Sequence, residues 1–242
     1  MTGAGRPVAL PILALAVAAS ACTGDTDPPW QLDHDRIVAV RATPPRIAAG
    51  ELARVDGLVA RKAAPVVEQS PDRVTVASPA SLVGAVSSSD SGWTIAAPDA
   101  DQLAAVRAEL GLAAGALIPL ELRVGFAGGA LIATKTVWLG GEGANPAMSD
   151  VAIDRTTAGA AEIVVDPGVD VPLSIGVDDA TYDVTWLSSC GTMHDFDLPS
   201  AYLRVESDDP TSGQLALVLR DATGGVSWRI WPIRTRTPAM PR

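Results

Sequence analysis

The 242-residue chain is long enough for two small domains or one large one, and 48% hydrophobic against 19% charged residues supplies a core and excludes global disorder. A formal net charge of −10 repels nucleic acid and anionic headgroups, so no nucleic-acid partner is expected. The apolar residues are mostly Ala, Val, Leu and Ile, punctuated by 22 Gly and 19 Pro, which is the composition of short strands between turns.

Arg6 precedes an apolar run over 8–19, and Ala19-Ser20-Ala21 places small residues at its end. That layout makes 1–21 a secretory leader, since the run is too short for a spanning helix and Pro11 interrupts it. Cys22 follows, then Thr-Gly-Asp-Thr-Asp-Pro-Pro, so 22–35 is expected to be a polar tether. The stretch ending at Cys22 resembles a bacterial lipobox, with Ala19 where that motif usually has Leu. The resemblance implies a diacylated Cys22 as the mature terminus and an anchor in the membrane of the cell envelope, two acyl chains being what stable anchoring requires. Thr23 after the Cys, in place of Asp, implies the outer membrane, with the folded part facing the periplasm or the cell surface. The same small residues also satisfy an ordinary A-x-A cleavage site, which releases a soluble protein beginning at Cys22.

Beyond the tether, 36–140 is expected to form a first β-sandwich. Ile37 to Val40 reads as a strand broken by Thr43-Pro44-Pro45, and Ala53, Val55, Gly57 and Val59 alternate with Arg54, Asp56 and Leu58. Arg73 to Ala77 and Gly92 to Ala96 predict further strands, with the Ser-rich stretch around Ser87-Ser88-Ser89-Asp90 as a loop between them. From 99 to 110 the period changes. Asp99 stands three places before Gln102, Leu103, Val106 and Leu110 share a face, and Gly111 supplies a stop, which predicts one short crossover helix. Leu120, Leu122, Val124 and Phe126 then alternate, Gly128-Gly129 turns the chain, and Leu131, Ala133, Val137 and Leu139 answer on the return.

The Gly-rich run into Pro146 makes 141–150 a linker, after which the plan restarts over 151–234. Val151-Ala152-Ile153 echoes Val38-Ala39-Val40, and Ile163 to Gly168 echoes Ile47 to Gly50. Val171 to Val177, Val184 and Trp186, Tyr202 to Val205, Leu215 to Leu219 and Val226 to Ile233 predict the remaining strands, with a frayed tail over 235–242. The Pro167-Gly168 approach, Val184-Thr185-Trp186 and the late turn at Gly224-Gly225 resemble immunoglobulin-like and polycystic-kidney-disease-type modules. In such folds a Trp at the Trp186 position packs against the opposite sheet. The fold expected is therefore all-β, two tandem immunoglobulin-like sandwiches, and the tethered pair resembles uncharacterised lipoproteins of GC-rich bacteria, which implies no activity.

Chemistry is sparse. No nucleophile elbow, P-loop, HExxH or EF-hand pattern is present, no catalytic residue is assigned, and His34 and His194 are the only histidines. The cluster Cys190, Met193, His194, Asp195 and Asp197 has the donor types for Zn²⁺ or copper, the alternative being a connecting loop with Cys190 buried. Asp178-Asp179 and Asp208-Asp209 are either Ca²⁺ carboxylates or turn formers. An acylated Cys22 leaves Cys190 a lone thiol, buried or paired with another chain, whereas an unacylated Cys22 permits an internal bridge. Trp228 and Trp231 fall on opposite faces of the last strand if it is regular, so at most one belongs to the core. The other is an exposed anchor for a sugar or protein, or, as Trp231, packs under the linker or first domain. The function expected is a non-enzymatic, lipid-anchored structural or interaction protein without a cofactor, its partners the membrane and an unidentified envelope protein. The alternative is a metal- or small-ligand-binding lipoprotein.

Overall fold

A period of two along 36–139 dictates strands with one face turned to a core. In the computed structural model, which describes residues 27–159 and 161–236, these are β1 (Arg36–Thr43), β2 (Arg46–Ile47), β3 (Leu52–Arg61), β4 (Ala64–Gln69), β5 (Arg73–Ser78), β6 (Val86–Ser89), β7 (Gly92–Ala96), β8 (Ile118–Phe126) and β9 (Leu131–Leu139). One sheet has the order β1-β3-β7-β6 with β4 also paired to β3, and the facing sheet has the order β2-β9-β8-β5. Their inner faces close on a core that includes Val55, Val59, Ile95, Leu120, Val124, Phe126 and Val137. The Ser-rich stretch expected as a loop is instead the edge strand β6, paired along its length with β7, because an edge strand needs only one partner and no buried outer face.

Helix α1 (Ala100–Glu109) crosses from β7 to β8 and so from one sheet to the other. Asp99 caps it by accepting from Gln102 N at 2.8 Å, and Leu103 and Val106 are buried. Leu110, expected on the same face, ends the helix as its C-cap and lies exposed, with Gly111 turning the chain out at φ +66°.

Gly57 occupies the middle of β3 because the Phe126 ring lies directly against it. A Cβ added there would stand 2.3 Å from Phe126 Cζ, and Phe126 is fully buried. Gly57→Ala is expected to destabilise the protein by about 1–3 kcal/mol through overpacking. Trimming the ring in Gly57→Ala/Phe126→Leu should recover part of that loss, as chemical denaturation would show.

The second set follows the same plan: β10 (Ala152–Ile153), β11 (Thr156–Thr157), β12 (Ile163–Val165), β13 (Asp170–Ser174), β14 (Asp183–Ser188), β15 (Thr192–His194), β16 (Ser200–Arg204), β17 (Ser212–Arg220) and β18 (Val226–Thr235). They form sheets of order β11-β10-β13-β16-β15 and β12-β18-β17-β14. The echo between Ile47 to Gly50 and Ile163 to Gly168 has a structural meaning. In each half the first strand lies in one sheet, and the chain then switches to the other, where β2 runs parallel to β9 and β12 parallel to β18. Trp186 is fully buried in the second core, facing Leu203 and Met193 of the opposite sheet, and its Nε1 donates to Leu198 O at 3.1 Å. The protein is all-β, built of two sandwiches with one short crossover helix.

The leader, Cys22 and residues 237–242 lie outside the described residues. From residue 30 onward the expected tether is not a free polar segment. Leu32 N donates to Ser188 O at 2.9 Å and Ser188 N to Trp30 O at 3.0 Å, so residues 30–32 pair beside the end of β14, and Leu32 is buried. Asp33 and Asp35 then accept from the backbone of Ala63 and Lys62 in the β3–β4 turn. An apolar Leu beside an unpaired sheet edge gains more from burial and pairing than from solvation.

Candidate functional site

The two sandwiches meet face to face. The outer side of the β1-β3-β4 surface contributes Val38, Ala39, Leu58, Ala60 and Val66, and the outer side of β14-β17-β18 contributes Leu187, Ala216, Val218, Val226 and Trp228. With one core on each side of this third cluster, the molecule is a stack of four sheets. The two middle layers show it in their burial, since Leu215 through Leu219 of β17 are all fully buried, as are Leu58, Val59 and Ala60 of β3.

Polar groups at the edges of this junction are paired across it. Gln214 brackets Val66 of β4, its Oε1 accepting from Val66 N and its Nε2 donating to Val66 O at 3.4 Å. Arg220 donates to Val38 O at 2.9 Å. Asn145, in the segment expected as a loose linker, donates from Nδ2 to Ala42 O at 2.9 Å and accepts at Oδ1 from Val226 N at 2.8 Å, while Ser227 Oγ donates to Pro146 O. The segment is thus a clamp, because its amide matches a free carbonyl in one sandwich and a free amide in the other. Trp228 lies over Arg41 of β1 with the guanidinium carbon 3.9 Å from the ring centroid, and its Nε1 donates to Glu68 Oε2 at 2.9 Å.

Lys135 is the least expected member. It holds an inward position of β9, is nearly fully buried, and donates from Nζ to Gly224 O in the β17–β18 turn of the other sandwich. Burial lowers its pKa to about 8, with the Asp221 carboxylate opposing and the Arg220 guanidinium adding to the shift. Cys190 goes the other way, burial and then Asp209 raising its thiol to about 11. The signs give a distinctive profile. From pH 8 to 9 the unfolded chain keeps a proton that folded Lys135 has lost, so stability should rise by about 1 kcal/mol. Above pH 9 the unfolded chain loses the Cys190 proton that the folded chain keeps, and the two slopes cancel. Urea denaturation at closely spaced pH values should show Lys135→Met removing the rise, and Cys190→Ala extending it toward pH 10.5, the ordinary lysine value.

No family model matches this chain, and no curated protein matches it. Among solved structures it is similar to the tandem Ig repeats of Dlar, with 10% identity and a TM-score of 0.31 over 85% of this chain and 100% of that one. It is also similar to the fibronectin(III)-like modules of Clostridium thermocellum CbhA, with 11% identity and a TM-score of 0.29 over 82% and 94% of the two chains. A nucleoside hydrolase-related hypothetical protein from Saccharophagus degradans matches at 14% identity and a TM-score of 0.31, over 38% of this chain and 26% of its own.

The residues weighed for metal chemistry are not gathered. Cys190 and Met193 turn into the second core, whereas His194, on β15 next to Met193, faces outward and stacks on Tyr202 with ring centroids 4.4 Å apart. Asp195 takes a turn conformation at φ +54°, and both it and Asp197 are exposed. The alternation of β15 separates the Met193 thioether from the His194 imidazole, since neighbouring side chains on a strand leave by opposite faces. Asp179 accepts from Thr181 N at 2.8 Å and Asp209 from Glu206 N at 2.8 Å, each serving its own turn, while Asp178 and Asp208 are exposed. Among the described residues no group of three or more His, Cys, Asp or Glu is placed to hold a metal ion.

The expectation for the last strand is corrected in one respect. Trp231, expected to pack under the linker or first domain if not exposed, is in the second core, with Nε1 donating to Gly159 O at 2.7 Å. Trp228 is the residue that reaches the first sandwich. The register explains it: Trp231 stands opposite Leu215, which faces its own core, and Trp228 stands opposite Val218, which faces the junction.

Proposed function

We propose that this chain is an envelope lipoprotein, acylated at Cys22 and sorted to the outer membrane, whose stacked sandwiches act as a rigid, non-enzymatic element for structure or protein interaction. The observation that carries the structural half is the two-sided burial of Leu215 through Leu219. Such a strand ties two sandwiches into one body, and a body of fixed shape suits display or spacing at a surface. The leader, the small residues before Cys22 and the polar run after it support the anchor. No helix among the described residues is long and apolar enough to cross a membrane, so in this reading membrane attachment is assigned to the lipid.

Mass spectrometry of the N-terminal peptide from the membrane fraction of cells making the full chain tests the anchor. A diacylated Cys22 is expected, and an unmodified Cys22 terminus or a retained leader overturns it.

A further inference from the structure

Gly125 lies on β8 between β5 and β9, on the face turned away from the core and in the sheet that takes no part in the junction. Nothing in the fold requires a glycine there. It has no positive φ, and a Cβ built on it would meet only ordinary contacts, at 3.8 Å to Arg73 and 3.9 Å to Gly129. Gly57, by contrast, is held by the Phe126 ring. A glycine inside a strand weakens it, and one that packing does not demand is the mark of a place where a ligand approaches the backbone.

The missing side chain leaves a cavity of about 290 Å³ lined by Arg73, Thr75, Arg123, Gly125, Gly129 and Ile132. The register accounts for its walls. Arg73 of β5 stands opposite Gly125 on one side and Ile132 of β9 on the other, while Arg123 and its partner Thr75 form the next row along the same face. Gly125 is buried although it faces outward, because its longer neighbours overhang it, and Arg73, Arg123 and Ile132 are exposed.

Arg73 and Arg123 are diagonal neighbours, about 7–8 Å apart and within reach of each other as long side chains over Gly125. No carboxylate lines the cavity, and neither guanidinium takes part in an ion pair among the described residues. Two cations held that close repel, and one anion between them relieves both. Each guanidinium presents paired N–H donors that fit an oxyanion, and Thr75 adds a hydroxyl. Two positive charges are balanced by a dianion, which a phosphate monoester approaches at pH 7 and a single carboxylate does not.

We propose that the cavity over Gly125 binds a small soluble phosphate monoester, its phosphate held by Arg73, Arg123 and Thr75 and its carbon skeleton lying against Ile132. The net charge of −10 turns away anionic bilayers, which leaves the soluble ester as the source. Such a site goes beyond the structural role above and needs neither Cys22 nor its acyl chains.

Calorimetric titration of the full chain with phenyl phosphate tests this, with benzoate as the monoanionic comparator and phosphatidylcholine vesicles carrying phosphatidic acid as the lipid source. Phenyl phosphate is expected to bind more tightly than benzoate, and severalfold more tightly at pH 7.5 than at pH 5, because the ester gains its second charge near about pH 6. Gly125→Val fills the cavity with a side chain that suits a strand. It should weaken binding by about tenfold or more while leaving the thermal midpoint unchanged or higher. Arg73→Gln/Arg123→Gln should abolish binding, whereas Lys62→Gln/Arg155→Gln, an equal charge change at exposed positions elsewhere, should leave it unaltered. No binding of phenyl phosphate, equal binding of benzoate, an equal loss in the Lys62/Arg155 variant, an unaffected Gly125→Val, or binding confined to the phosphatidic acid vesicles overturns the proposal.

Discussion

Val218→Asp is expected to lower the thermal midpoint by on the order of 10 °C, against a parent protein that unfolds in one transition. Val218 has no exposed surface and lies in the cluster between the sandwiches, opposite Trp228 on β18 and Thr185 on β14. A carboxylate placed there is buried among Leu58, Ala60, Val66 and Ala216, and the guanidiniums of the junction are already engaged, Arg220 with Val38 O and Thr185 and Arg41 with Asp56 and Glu68, so the charge costs about 3–5 kcal/mol. Separating the sandwiches to relieve that cost exposes the apolar faces of β3 and β17 together. A second expectation follows from the same geometry. A fragment over 151–236 lacks both the first sandwich and the Trp30–Leu32 segment that pairs with Ser188, and should be poorly soluble on its own. Calorimetry of the intact chain decides the matter: two separate transitions in the parent, or a Val218→Asp midpoint within about 2 °C of it, would defeat the single-body account.

Much of this fold could be read from periodicity. The β8–β9 hairpin and the capped crossover helix follow from local spacing, and the repeated sheet switch at Ile47 and Ile163 appeared as an echo in the sequence. The junction was legible only in part. Leu215-Ala216-Leu217-Val218-Leu219 is a run without alternation, the signature of a strand covered on both faces, so β17 announces a second contact surface without naming it. Lys135 also left a trace, standing at an inward position between Ala133 and Val137 where an aliphatic residue belongs. Asn145 left none. Its partners, Ala42 and Val226, are 103 and 81 residues away, and a Gly-rich neighbourhood reads as a loose connection whatever its amide later binds. The Cys190 to Asp197 cluster shows the complementary limit. Closeness in sequence is not convergence in space when the segment is a strand, and β15 sends Met193 and His194 to opposite faces.

Trp228→Ala is expected to cost about 3–5 kcal/mol, as for a large aromatic removed from a packed site, and the loss should be resolvable into parts. The ring fills the junction beside Val226, its Nε1 binds Glu68, and its face carries the Arg41 guanidinium. Trp228→Phe keeps most of the packing and loses the Glu68 bond, so it should cost about 1 kcal/mol. Arg41 matters for a further reason. Its Nη2 lies 2.8 Å from Asp56 Oδ2 and 2.9 Å from Glu68 Oε1, and burial raises the Asp56 pKa even with Arg41 lowering it. A carboxyl raised in the folded state keeps its proton where the unfolded chain has lost it, so its burial weighs against folding as pH climbs past the ordinary carboxylate range. Removing the guanidinium deepens that effect. Arg41→Met should therefore destabilise the protein more at pH 7 than at pH 4. Equal losses for Arg41→Met at the two pH values would show that Arg41 serves the junction by stacking on Trp228 alone, and not by holding the Asp56 charge in place.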